Sequence, residues 1–80
     1  MKETRILSIN MLNKSIDTIE VRQILTQGNP LVRSSEGLVE STNSKEGFMM
    51  VKLKGDSQEI DKVENKIKEI KDLNVERLSL

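Results

Sequence analysis

The sequence predicts a small α+β domain, and three observations carry the prediction. Strand-like segments alternate apolar and polar residues, and two helical segments repeat their apolar residues at spacings of three and four. Gly, Pro, Asn and Asp sit between these segments, where turns and caps need them. All 80 residues read as one domain, with no linker, strict repeat or low-complexity stretch among them.

The first strand is expected over Thr4 to Leu12, where Leu7, Ile9 and Met11 alternate with Ser8 and Asn10. Asn13, Lys14 and Ser15 break that alternation, and Asn13 or Ser15 can cap a helix by accepting from its free backbone N–H groups. The helix is expected over Ile16 to Gln27, with Asp17 at the positive end of its dipole. Val21, Ile24 and Leu25 share one face, and Ile16 and Ile19 widen it into an arc suited to contacts beyond the sheet. Gly28–Asn29–Pro30 is the stop signal, with Gly28 expected at positive φ.

A second strand follows over Leu31 to Val39, weakened by Ser34, Ser35 and Gly37. The polar loop from Glu40 to Glu46, closed by Gly47, leads to the third strand, Phe48 to Lys54. There Met49, Val51 and Leu53 point one way and Phe48, Met50, Lys52 and Lys54 the other. The short link implies an antiparallel pair. Asp56, with Glu59 three residues on, has capping-box spacing. Ile60, Val63, Ile67 and Ile70 then mark the strongest helix of the chain. It is expected to end near Leu73, with Asn74 as the left-handed residue and Val75 to Leu80 as the closing strand. The order β-α-β-β-α-β is the ferredoxin-like sandwich, a four-stranded antiparallel sheet with two helices on one face.

Composition narrows the function. Without Cys or His, disulfides and nearly all transition-metal sites are excluded, and the usual centres of acid–base and nucleophilic catalysis are missing. No catalytic residue, metal site or cofactor is therefore assigned, and the chain reads as a non-enzyme. A domain this small commonly needs a staple, which leaves self-association. Thirteen basic and thirteen acidic residues cancel and are interleaved, so direct nucleic-acid binding is not expected. The longest apolar run, Phe48 to Val51, is far too short to span a membrane, and no secretory signal follows Met1. A cytoplasmic location is the expectation.

The alternating Lys, Glu and Asp of the second helix read as a solvated face with salt-bridge spacing. Arg33 and Lys52 are the candidate ligand residues, against the simpler reading of charges that discourage aggregation. The more informative feature is the sheet face that the helices leave open. If Met49, Val51 and Leu53 meet the helices, then Phe48 and Met50 fall on the open side, joined by Ile6 and Leu12. These four are the candidate oligomer interface.

The segment from Phe48 through Gly55 and Asp56, with Glu59, Ile60, Ile67 and Ile70, and the exit Leu73-Asn74-Val75 to Leu80, resembles the iron-only hydrogenase system regulators. It is also similar to the C-terminal regulatory domain of nickel-responsive repressors. Asn74 stands where those families place Gly. The resemblance implies an ACT-like variant of the fold and a homodimer or homotetramer. It does not carry over the repressors' metal site, which is built from His and Cys. The function expected is therefore a small regulatory or sensor-type domain that works by homo-oligomerisation, with small-molecule binding at subunit interfaces. The alternative is a structural adaptor that docks on a larger protein partner by strand addition at its edges.

Overall fold

The structure, a computed structural model, describes residues 1–40 and 45–78. Its elements are β1 (Lys2–Met11), α1 (Lys14–Thr26), β2 (Val32–Glu40), β3 (Gly47–Asp56), α2 (Ser57–Lys68) and β4 (Leu73–Leu78). The strands form one antiparallel sheet in the order β2-β3-β1-β4, so β2 and β4 are its edges. This is the ferredoxin-like order. The middle of the predicted loop, residues 41–44, and the last two residues of the expected closing strand lie outside the described residues.

Alternation places the core. Leu7, Ile9 and Met11 of β1 and Met49, Val51 and Leu53 of β3 are buried, with Leu7 opposite Val51 and Ile9 opposite Met49. Val21 of α1 and Ile60, Val63 and Ile67 of α2 close over them. Each such side chain stabilises the fold by roughly 1.5–3 kcal/mol relative to leaving it in water.

Several boundaries differ from the sequence expectation, each for a local reason. Helix α1 begins at Lys14, and its N-cap Asn13 makes no side-chain capping bond. Instead the Asp17 carboxylate reaches back and accepts from the Asn13 backbone N–H at 3.2 Å. Gly28 does not adopt positive φ. It matters because a Cβ there would lie 2.8 Å from the Ile24 carbonyl oxygen. The wide apolar arc of α1 is only half used, since Ile16 and Ile19 remain exposed.

Helix α2 starts as expected, with the Asp56 carboxylate accepting from the Gln58 N–H at 3.0 Å. The capping box is incomplete, because Glu59 bonds to Asn29 and Lys62 instead. The helix ends at Lys68, earlier than predicted, and the left-handed residue is Asp72 (φ 66°), not Asn74. Leu73, Asn74 and Val75 already belong to β4, where Leu73 pairs with Met11 and Val75 with Ile9. Pairing with β1 satisfies the backbone groups of these residues in place of another turn of helix. Among the described residues, no helix is long and apolar enough to cross a membrane.

Candidate functional site: the open sheet face and a buried ion cluster

Register fixes what the open face carries. Across β3, β1 and β4, one row reads Phe48, Asn10, Asn74, and across β2, β3, β1 and β4 the next reads Gly37, Met50, Ser8, Glu76. The third reads Ser35, Lys52, Ile6, Leu78, and the fourth Arg33, Lys54, Thr4. Phe48, Met50 and Ile6 are half-buried although no helix covers them, and they stand outside the core cluster. Met50 and Ile6 are diagonal neighbours, close enough for long side chains to meet. On β1 beside Ile6 and directly opposite Met50, Ser8 is only 8% exposed. Leu78, 41% exposed, extends the apolar area onto β4.

The structure thus brings three of the four expected interface residues into one patch. Leu12 stands apart, 56% exposed in the bend beyond β1. It lines a hollow of about 510 Å³ at the end of the sheet, with Asn10, Gly47, Asp72, Leu73 and Asn74. A second hollow, about 580 Å³, lies between the start of α1 and the end of α2. Arg33 and Lys52 line neither; both are exposed on the open face, at diagonal positions on β2 and β3.

Beneath the other face lies a group that sequence reasoning missed. Glu64, assigned to the solvated face of α2, is 1% exposed. Its carboxylate accepts from Arg77 Nε at 2.8 Å and Nη2 at 2.9 Å, and pairs with Lys68 at 3.0 Å. Arg5 Nη1 lies 3.4 Å away and donates to Asp61 at 2.6 Å, while Arg5 Nη2 donates to Glu3 at 2.7 Å. Arg5 and Arg77 sit on the helix-facing sides of β1 and β4, as their register beside Leu53 and Leu7 requires. Burial pushes the Glu64 carboxyl up, but the bonds from Arg77 and Lys68 outweigh it and hold the group below its ordinary range. Burial likewise lowers the Arg5 guanidinium, and its bonds to Asp61 and Glu3 more than offset that. The signal available in the sequence was alternation: Arg5 is in phase with Leu7, Ile9 and Met11, and Glu64 directly follows Val63.

The cluster is saturated, with every buried side-chain polar atom among the described residues satisfied. That suits a structural tie rather than chemistry. No group of three or more potential metal-ligating side chains is present among the described residues.

Known structures share this architecture. An uncharacterized protein from Thermotoga maritima matches with a TM-score of 0.78 at 18% identity, over 100% of this chain and 99% of that one. The ACT domain from the GTP pyrophosphokinase of Chlorobium tepidum matches at 0.73 and 12% identity, over 98% and 100% of the two chains. A de novo designed protein matches at 0.67 and 12% identity, over 100% and 99%. No family model and no curated protein matches the sequence. These likenesses establish an ACT-like ferredoxin fold. The designed neighbour is a reminder that the fold by itself carries no function.

Proposed function

We propose that this chain is a small regulatory domain that works by homo-oligomerisation, of the kind found among iron-only hydrogenase system regulators, and that its open sheet face is the seam between copies. The apolar patch of Phe48, Met50, Ile6 and Leu78 carries this reading. Patches of this kind, ringed by polar residues, mark interaction surfaces. Support also comes from the ACT-domain neighbour and from the resemblance over residues 48–80. In this reading a small molecule binds at the seam and changes the affinity between copies, without direct contact with nucleic acid. Leu12 then contributes at the rim, where the hollow beside Asn10 and Asn74 opens.

Sedimentation and native mass spectrometry test the reading. A dimer or tetramer that Met50→Glu converts to a folded monomer is the expected result. A wild-type protein that stays monomeric at high concentration would sink it.

The second reading, an adaptor that accepts a strand from a partner, draws on the edge positions of β2 and β4. Failure to recover any stable partner from native extract would count against it.

A further inference from the structure

The lower half of the open face is cationic in a way that overall neutrality conceals. Arg33 and Lys54 are direct cross-strand partners, Lys52 lies two residues along β3 from Lys54, and Lys2 is diagonal to Lys54 on β1. All four are exposed, and none makes an ion pair or side-chain hydrogen bond among the described residues. Elsewhere, Arg5, Arg22, Lys62, Lys68 and Arg77 are each paired with a carboxylate, whereas Lys66 and Lys71 make no ion pair among the described residues. Of the two carboxylates in phase with this face, Asp56 is the cross-strand partner of Lys2 but its ion pair is with the N-terminal amine, at 3.0 Å. It also accepts from the Gln58 N–H, and Glu76 lies up the sheet beside Ser8.

Like charges directly opposite on paired strands destabilise a sheet. The Arg33–Lys54 pair therefore carries a cost that no ion pair of either residue offsets among the described residues. The four positions occupy three adjacent strands, a span of roughly 10 Å across the sheet. Thr4 and Ser35 add hydroxyl donors, opposite Lys54 and Lys52. Flexible lysines and a planar guanidinium converging on one surface suit an anion with several phosphoryl groups better than a single carboxylate.

We infer that Arg33, Lys52, Lys54 and Lys2 form a binding site for a small polyphosphate anion, either an inorganic chain or the polyphosphate end of a nucleotide. The inference deepens the regulatory reading and rests on it for the presence of a ligand. The site adjoins the apolar half of the face, since Lys52 is the cross-strand partner of Ile6. An anion held there would neutralise the cations at the rim of the seam.

The test is calorimetric titration of the intact protein with sodium tripolyphosphate and with ATP at low salt. Arg33→Gln and Lys54→Gln are compared with Lys66→Gln and Lys71→Gln, which remove the same charge from the region of α2. Binding that either open-face substitution weakens about tenfold, and that the α2 substitutions spare, is the expected result. Equal affinities would assign the inorganic chain, and tighter ATP binding the nucleotide. Without anion, the two open-face variants should melt no lower than wild type, because each relieves a like-charge pair. The inference is overturned if neither anion binds or if all four variants lose binding equally. Tighter binding of a single-stranded oligonucleotide at the same residues would also overturn it. Sedimentation of the same samples keeps the two proposals separate: an oligomer that binds no anion refutes the site alone, and a monomer that binds it refutes the seam alone.

Discussion

Gly55 joins β3 to the cap of α2 at a φ of 158°, and a Cβ there would meet the Leu31 carbonyl oxygen at 2.5 Å. Backbone does not yield as a side chain would, so Gly55→Ala should cost roughly 1–3 kcal/mol, read as a lower urea midpoint. Asp72 is the converse case, a side chain at φ 66° where glycine is at ease. Asp72→Gly should leave stability unchanged or raise it by up to about 1 kcal/mol. Glu64 is the residue whose loss should matter most among the charged side chains. Removing it leaves the buried Arg5 with fewer partners, and Glu64→Ala should cost roughly 3 kcal/mol in chemical denaturation. A cost under about 1 kcal/mol would show that the cluster is ornamental.

At the scale of elements, the six segments were readable because burial follows period. β3 shows this most clearly, its buried Met49, Val51 and Leu53 alternating with half-buried or exposed neighbours. Asp56 as a cap was equally readable, and Asp56→Ala should cost about 1 kcal/mol in thermal unfolding. The junction after α2 was not. Leu73 continues the helical spacing of Ile67 and Ile70, and no local signal says that β1 will capture it as a strand. The same limit hid Glu64. A run of mixed charge at helical spacing looks solvated until Arg5 and Arg77 arrive from strands far apart in sequence. The site residues divide likewise: alternation located Phe48, Met50 and Ile6, whereas the cation group needed the cross-strand register of Arg33 and Lys54.

For the whole molecule, acid is the informative perturbation. Glu3, Asp56 and Glu64 are all held below their ordinary range: Glu3 by bonds from Ser57 and Arg5, and Asp56 by the N-terminal amine and Gln58. A carboxyl depressed by folding adds stability above its unfolded pKa and loses that contribution as pH falls through the folded one. Stability should therefore be flat between about pH 7 and pH 5.5 and fall below about pH 4.5. No histidine is present to add a transition in between. Glu64→Gln should be less stable at pH 7 and show a shallower acid slope. Among the described residues β4 is six residues long, pairs only with β1, and is fastened from below by Arg77 on Glu64. Amide exchange should find this strand opening first as the pH drops, ahead of the β1–β3 ladder that spans ten residue pairs. A molecule so opened offers the vacant flank of β1 to any neighbour that can lend a strand, so mild acid is the condition under which exchange of β4 between copies should begin.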